Sequence, residues 1–346
     1  MSPRTRWRSS TVALTLALAV ATPLGAHPAA SAATDTQTSV ERIFGADRYE
    51  TAAAVSADAF SHGGVITAFV ASGVDFPDAL SAAATAGLMD GPVLLTKPGY
   101  LPAVTAQEVD ALELDSVFVT GGTGAVSDAV LRQLEPLTTE GSFRFGGADR
   151  YATAAAMLPW WILEFPDTVF LASGADYPDA LSGAAAAGFL HSPVFLTAPD
   201  TLPSQTAAAL RRLAPSTVIA LGGTGSLSDA VLESARLATG VDDATTERRG
   251  GQTRYDTAVS VSQATFATGA RVPIVYVASG ENFADALAGA AAGGSLGGPV
   301  LLTPAHDAPA SVLAELRRLD PQRVVILGGP SVISDHVASQ ITAALG

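Results

Sequence analysis

The stretch that decides the fold is residues 71–82, which read ASGVDFPDALSA. It returns as ASGADYPDALSG at residues 172–183 and as ASGENFADALAG at residues 278–289. The copies lie 101 and 106 residues apart, and a repeat of this length sets the architecture of a chain. The sequence therefore predicts three copies of one structural unit.

Other motifs recur in the same order and at nearly the same spacing. The sequence PVLLT begins at Pro92, and close variants of it begin at Pro193 and Pro299. Paired glycines and an Arg-Tyr pair also occur once in each unit. We expect unit limits at residues 34–140, 141–244 and 245–346, with linkers near residues 138–142 and 239–247.

The local pattern within the first unit alternates helices with short strands. It predicts helices beginning near Asp47, Pro77, Thr105 and Ser127, and it predicts strands at residues 68–71, 93–96 and 117–120. The strands are continuous apolar runs, which is typical of parallel strands covered on both faces. Each unit is therefore expected to be a small α/β domain with right-handed crossovers.

The first 33 residues have the pattern of an export leader. Three arginines precede an apolar run at residues 11–21, and Ala30-Ser31-Ala32 offers a cleavage site; the arginines are Arg4, Arg6 and Arg8. A membrane anchor is the alternative, but the run is shorter than the ~20 residues that a span needs. We expect a secreted protein with no membrane span after cleavage.

Charge and composition exclude several classes of protein. The formal net charge is −14, and it becomes −17 without the leader, which argues against a nucleic-acid or anionic-membrane partner. Cysteine is absent, so disulfides do not stabilise the fold. Lys97 is the single lysine, a bias typical of GC-rich coding such as that of actinobacteria.

Repeated arginines and tyrosines are candidate ligand-binding residues. An arginine precedes each Arg-Tyr pair by six residues. Guanidinium groups could bind phosphate or carboxylate groups of a ligand while a tyrosine ring packs on a sugar. Alternatively, Arg48, Arg150 and Arg254 form salt bridges between units, to the aspartate of the Asp-Ala-Leu motif, while the tyrosines cap the core. The preceding arginines are Arg42, Arg144 and Arg248. The Arg-Tyr pairs are Arg48-Tyr49, Arg150-Tyr151 and Arg254-Tyr255.

Repeated carboxylates and glycines have structural explanations as well as functional ones. The third copy has Asn282 where the other copies have Asp75 and Asp176, so it lacks the carboxylate pair of a metal or acid–base site. Helix capping is therefore the expected role of the aspartates three residues further on, which are Asp78, Asp179 and Asp285. The glycine loops either form an anion-binding nest or satisfy a tight turn. These loops contain Gly121-Gly122, Gly222-Gly223 and Gly328-Gly329.

No recurrent catalytic set is visible in the sequence. The repeated serines do not lie in a G-x-S-x-G motif, and no histidine recurs. We expect no catalytic residue, no bound metal and no cofactor.

Four motifs give the chain a resemblance to a known family. They are RIFGADRYETA from Arg42, ASGVDFPDALSA from Ala71, GPVLLT from Gly91 and VTGGTGAVSD from Val119. These motifs occur in three copies over Arg42 to Leu345. Through them the chain resembles the cell wall-binding repeat 2 family of Gram-positive surface proteins. The third copy departs from the pattern at residues 281–285 and 328–331.

The resemblance implies Toprim-like or flavodoxin-like modules around a pseudo-threefold axis, in a monomer held non-covalently at the cell surface. The implied partner is an anionic wall glycopolymer, contacted by the repeated arginines, tyrosines and glycines. An amidase-type wall hydrolase and a structural surface-layer protein are the alternatives.

Overall fold

The computed structural model describes residues 37–61, 64–162, 164–267, 269 and 271–346. The expected export leader at residues 1–33 lies outside the described residues. Within the described part of the chain, no helix combines the length and hydropathy that crossing a membrane requires.

Helices and strands alternate along the chain. The elements up to the end of the first unit are β1 (Ser39–Ile43), α1 (Arg48–Ala59), β2 (Thr67–Ser72), α2 (Pro77–Leu88), β3 (Val93–Thr96), α3 (Ala103–Ala111), β4 (Ser116–Thr120) and α4 (Asp128–Leu134), followed by a 3₁₀ turn (Glu135–Leu137). Next come β5 (Gly141–Phe145), α5 (Arg150–Ala156), α6 (Leu158–Ile162), β6 (Thr168–Ser173), α7 (Pro178–Phe189), β7 (Val194–Thr197), α8 (Ser204–Leu213), β8 (Thr217–Leu221) and α9 (Asp229–Ala238). The last are β9 (Thr245–Arg249), α10 (Arg254–Thr265), β10 (Ile274–Ser279), α11 (Ala284–Leu296), β11 (Val300–Thr303), α12 (Ala310–Leu319), β12 (Arg323–Leu327) and α13 (Asp335–Leu345).

The strands and helices predicted for the first unit are confirmed. Strand β3 has the predicted bounds, and β2 and β4 each extend the predicted strand by one or two residues. Every residue of β2 and β3 is buried, as continuous apolar runs covered on both faces should be. Helix α1 begins after Asp47, whose carboxylate accepts hydrogen bonds from the backbone N–H groups of Tyr49 and Glu50.

The strands form three four-stranded parallel sheets. Their orders are β3-β2-β4-β5, β7-β6-β8-β9 and β11-β10-β12-β1. The stretches expected to be linkers, near residues 138–142 and 239–247, therefore contain the starts of strands β5 and β9. Each of these strands completes the sheet of the preceding unit.

Strand β1 closes the set of three units into a ring. It pairs in parallel with β12, in a register that sets Ser39 opposite Arg323 and Ile43 opposite Leu327. The outer strand of the third sheet thus comes from a segment about 280 residues earlier in the chain. Strand β1 therefore completes the sheet of the third unit in the same way as β5 completes the sheet of the first.

Helices α2, α7 and α11 pack against one another around a common axis. They are alanine-rich and buried on nearly all sides, because each faces its own sheet and the other two helices. Gly87, Gly188 and Gly294 meet at the axis, where a Cβ added to Gly188 would lie 3.2 Å from the Cα atoms of the other two. One contiguous core runs through all three units, which confirms the expected pseudo-threefold packing.

Three aromatic rings meet at the other end of these helices. Phe76, Tyr177 and Phe283 each precede the first residue of an axial helix. Their ring centroids are 5.5, 5.7 and 6.2 Å apart. The carboxyl ends of all three sheets therefore lie on one side of the molecule, which we call the carboxyl face.

Candidate functional site

Three equivalent clefts open on the carboxyl face, with volumes of about 430, 390 and 370 Å³. The first lies between the segments that follow β2 and β4, neighbouring strands whose connections lead to opposite sides of the sheet. Such a switch point at the carboxyl ends of parallel strands is where α/β proteins bind ligands. The three clefts therefore form the candidate site.

Each cleft is built from two units. One unit supplies the turn before its axial helix and its glycine loop, and the next unit supplies the loop before its Arg-Tyr pair. In the first cleft these segments include Asp75, Gly122 and Asp149. Strand exchange explains the mixed origin, because β5 carries the loop of the second unit back to the first sheet. Which loop of the next unit lines the cleft could not be derived from the sequence.

The arginines of the Arg-Tyr pairs join one unit to the previous one. Arg48, Arg150 and Arg254 each donate a hydrogen bond to the carbonyl of the glycine that follows a strand of their own unit. The Arg48 guanidinium lies 5.4 Å from the ring centroid of Phe283, and that of Arg150 lies 5.7 Å from that of Phe76. These are cation–π contacts between units.

A salt bridge between units is present at Arg150. Its partner is Asp75, at 3.5 Å, and not the aspartate of the Asp-Ala-Leu motif that the sequence suggested. Asn282 occupies the equivalent place beside the third cleft, so no carboxylate stands there to pair with Arg48.

The tyrosines of the same pairs pack inward. A Cβ added to Gly73, Gly174 or Gly280 would lie 2.6 to 2.7 Å from a ring carbon of Tyr49, Tyr151 or Tyr255. Burial raises the pKa of both Tyr49 and Tyr255. The rings thus support the turn beneath each arginine, as the core-capping alternative expected.

The other repeated arginines fasten the exchanged strands. Arg144 on β5 donates to the Gly121 carbonyl at 2.8 Å and pairs with Asp128 at 3.0 Å. Arg248 makes the equivalent contacts with Gly222 and Asp229. Arg42 binds the carbonyls of Gly328 and Ile333 and pairs with Asp335 at 3.3 Å; the three side chains are 15–21% exposed.

We expect Arg144→Gln to lower the free energy of unfolding by about 1–3 kcal/mol, because it removes a charge-assisted hydrogen bond to the buried Gly121 carbonyl and the pairing with Asp128. Arg132→Gln, on an exposed face of α4, is the matched control and should change it by less than about 0.5 kcal/mol. Urea denaturation measures both. Equal stability of the two variants would argue against a fastening role and for direct contact with a ligand.

The first glycine of each glycine loop is required by the backbone. Gly121, Gly222 and Gly328 have φ angles of +111°, +94° and +102°. Their amides donate to the carbonyls of Phe145, Arg249 and Ile43 on the exchanged strands, so these three amides are not free for an anion nest. The second glycines, Gly122, Gly223 and Gly329, line the clefts.

The aspartates expected to be helix caps lie in the first turn but do not cap. The N-cap positions belong to Phe76, Tyr177 and Phe283, and no side chain makes a cap hydrogen bond there. The carboxylates instead point across the clefts and bond hydroxyl groups of loops or helices. The pairs are Asp78 with Thr153, Asp179 with Ser226, and Asp285 with Thr51.

Burial raises the pKa of Asp78 and of Asp285, while the hydrogen bonds to Thr153 and Thr51 oppose that rise. A raised pKa means that the folded protein holds the proton more tightly than the unfolded chain does. The resulting stability is complete below the ordinary value of 3.8 and is lost as pH rises through the folded-state pKa. At neutral pH the ionised Asp285 therefore destabilises the fold.

We expect Asp285→Asn to raise the free energy of unfolding at pH 7, with the gain shrinking as pH falls toward 4. The amide stays neutral and still accepts from Thr51. Denaturant titrations at several pH values test this, with the exposed Asp176→Asn as control. A gain that did not change with pH would mean that ionisation of Asp285 is not its source.

Among the described residues, no group of three or more His, Cys, Asp or Glu side chains could hold a metal ion. The clefts instead offer hydroxyls, carboxylates and a guanidinium edge, which suit a polar organic ligand.

Comparison with known proteins supports a role at the cell wall. A family described as "Cell wall binding domain 2" matches residues 42–131, 144–232 and 248–338. A protein of Bacillus subtilis (strain 168) named N-acetylmuramoyl-L-alanine amidase LytC is 27% identical over 306 residues, which are 88% of this chain and 58% of that protein. The amidase enhancer of the same organism is 31% identical over 200 residues, 57% of this chain and 26% of the enhancer.

Two solved structures share the fold. Cwp6 from Clostridium difficile has a TM-score of 0.81 and 23% identity, over 90% of this chain and 48% of that one. Cwp8 from the same species has a TM-score of 0.78 and 23% identity, over 88% and 51%. The chain spans less than two thirds of the length of each of these relatives.

Proposed function

The chain belongs to the cell wall binding domain 2 family, and from that membership we propose that it is a non-catalytic attachment protein that binds an anionic secondary polymer of the cell wall. The observation that supports this proposal is the presence of three equivalent clefts on one face of one body. A polymer repeats its chemistry along its length, so three like clefts suit it better than a single small molecule.

We assign different roles in polymer recognition to different residues of each cleft. Arg48, Arg150 and Arg254 offer guanidinium edges to anionic groups, and the second glycines leave room for a chain to approach. Asp78, Asp179 and Asp285 can accept hydrogen bonds from sugar hydroxyls. Arg42, Arg144 and Arg248 hold the glycine loops in place, and Tyr49, Tyr151 and Tyr255 support the turns beneath the arginines.

Three clefts compensate for weak contacts. Each exposed ionic contact contributes only about 0.2–1 kcal/mol, and the net charge of the protein repels polyanions. Linked sites on one body raise the local concentration of polymer at the second and third clefts, so retention can exceed that of one cleft by about 100-fold or more. Binding should accordingly weaken as salt rises.

Blocking the clefts tests the proposal. Thr123, Thr224 and Ser331 are exposed and line the first, second and third clefts. One substitution to Trp should weaken retention on polymer-bearing wall fragments by less than about tenfold, and all three by about 100-fold or more. Ser339→Trp, exposed on α13, is the control.

Wall fragments stripped of the secondary polymer should not retain the parent chain. Equal retention on stripped and unstripped walls would contradict the polymer as partner, and retention unaffected by the triple variant would contradict the clefts. Retention only in the presence of other surface proteins would favour the surface-layer alternative.

A wall hydrolase is the second candidate, because one similar protein is named an amidase. The repeats recur as structural units without a recurrent nucleophile–base pair, so we propose that this chain does not cleave the wall. Incubation of purified peptidoglycan with the chain should release no new amino groups. Release that one substitution abolishes would overturn the non-catalytic assignment.

The proposed place of action is the outside of a Gram-positive, actinobacterial cell. Export would remove a leader that ends near residue 33 and leave a start near Ala33 or Thr34, followed by repeats at 34–140, 141–244 and 245–346. We propose that the protein acts as a monomer, because its three units already satisfy the pseudo-threefold arrangement.

A further inference from the structure

We propose that Lys97 and the rings of Tyr49 and Tyr100 form a binding site for an anionic sugar residue. The second and third units lack this site. The proposal deepens the proposed function and rests on it for the identity of the polymer. Lys97 follows β3, so it lies on the carboxyl face with the clefts. Its ammonium is 5.6 Å from the ring centroid of Tyr49 and 4.9 Å from that of Tyr100.

The contacts of Lys97 differ from those of the arginines on the same face. In the described structure, its ammonium donates to no backbone carbonyl and forms no salt bridge, whereas Arg48, Arg144 and Arg150 all donate to carbonyls. The nearby Tyr100 and Tyr49 hydroxyls and Asp47 raise the pKa of Lys97, so the group remains cationic. It is therefore a charge held in place but still open to an incoming anion.

Two of the other cations without a salt bridge in the described residues, Arg48 and Arg254, also lie on the carboxyl face, but each donates to a backbone carbonyl. The remaining ones lie elsewhere. They occupy the last turns of α4, α8 and α12, and these turns lead back to the amino ends of the following strands. They are Arg132, Arg211, Arg212 and Arg317. In the part of the chain that the structure describes, Lys97 is the one cation on the carboxyl face that neither forms a salt bridge nor donates to a backbone carbonyl; its hydrogen-bond partner is the Tyr100 hydroxyl.

The loop that carries Lys97 and Tyr100 is fixed at three points. The Thr96 hydroxyl donates to the Tyr100 carbonyl at 3.2 Å, the Ser127 amide donates to the Pro98 carbonyl at 2.7 Å, and the Leu101 amide donates to the Gln133 side chain at 2.9 Å. Binding thus requires little further ordering of the backbone.

The two rings differ in exposure, and the difference assigns their roles. Tyr49 is 7% exposed and forms the inner wall, while Tyr100 is 51% exposed and offers a ring on which a sugar can pack. Tyr49 also follows Arg48, which lines the third cleft. A polymer in that cleft could therefore continue onto the Lys97 site.

The equivalent loops serve as internal controls. Lys97 and Tyr100 correspond to Ala198 and Thr201 in the second unit and to Pro304 and Asp307 in the third. Neither pair has a cation or an aromatic ring. A double substitution, Ala198→Lys with Thr201→Tyr, would transfer the site to the second unit.

Because Lys97 is the only lysine, it is the only side chain that an amine reagent labels. Reductive methylation with ¹³C-formaldehyde keeps its charge and gives one side-chain NMR signal, distinct from that of the terminal amine. Glucose 1-phosphate or glucuronate should shift this signal saturably, and glucose should not; the two anions distinguish a phosphate from a carboxylate. Tyr100→Ala should weaken the response about three- to tenfold.

Retention on polymer-bearing walls provides the second measurement. Lys97→Gln should reduce it about three- to tenfold, Lys97→Arg should reduce it less, and the double substitution in the second unit should increase it. A signal that sugar anions shift no more than sulfate does would overturn the site. If the parent chain is not retained on polymer but the signal still shifts, the site stands and the proposed partner falls.

Discussion

A chain that begins at Ala46, and so lacks β1, should unfold on the order of 10 °C below one that begins at Gln37. The deletion removes the outer strand of the third sheet together with the Arg42 hydrogen bonds and the pairing of Arg323 with Glu41. Charge-assisted hydrogen bonds contribute about 1.5–3 kcal/mol each and backbone bonds about 0.5–1.5, so the total loss is on the order of 5 kcal/mol.

The deletion should also open the third cleft, because it removes Phe44 and Gly45 from the wall of that cleft. A synthetic peptide of residues 37–46, added in excess, should restore much of the lost stability by binding the exposed edge of β12, and a scrambled peptide should not. Thermal unfolding followed by circular dichroism gives the comparison. If both chains unfold at one temperature, β1 does not belong to the cooperative unit.

The second large effect is expected at the axis, where Gly188→Leu should cost more than about 4 kcal/mol. The new Cβ would lie 3.2 Å from the backbone Cα atoms of Gly87 and Gly294, and the rest of the side chain would have no space. Three helices would have to separate, which would disrupt the core shared by all units.

Two further variants separate steric crowding at the axis from other effects of replacing a glycine on stability. Gly188→Ala should cost far less, because a shift of a few tenths of an ångström accommodates one methyl and alanine favours a helix by about 1 kcal/mol. Gly99→Leu, at an exposed loop position with no atom within 4 Å of its added Cβ, is the control. Urea denaturation measures all three. A Gly188→Leu variant as stable as the Gly99 control would contradict close contact at the axis.

The candidate site could be predicted only in part. The sequence identified the repeated arginines, tyrosines, aspartates and glycines, but it could not assign partners to them. The sequence suggested that Arg144 binds a ligand at the surface, whereas in the structure its guanidinium bonds the Gly121 carbonyl and pairs with Asp128. Asp78 resembled a helix cap, and its hydroxyl partner, Thr153, belongs to the next unit. Such partners depend on strand exchange, which leaves no local pattern.

The sequence by itself determined the number of units, the α/β class and the parallel strands, because repeats and apolar runs are properties of neighbouring residues. Only the tertiary structure decided that β5, β9 and β1 complete sheets of other units. Strand β1 reads SVERI and is partly exposed, so its apolar content does not distinguish it from a linker. Its identity as a strand comes from backbone pairing with β12, and pairing over such a distance depends on the folded arrangement of the whole chain.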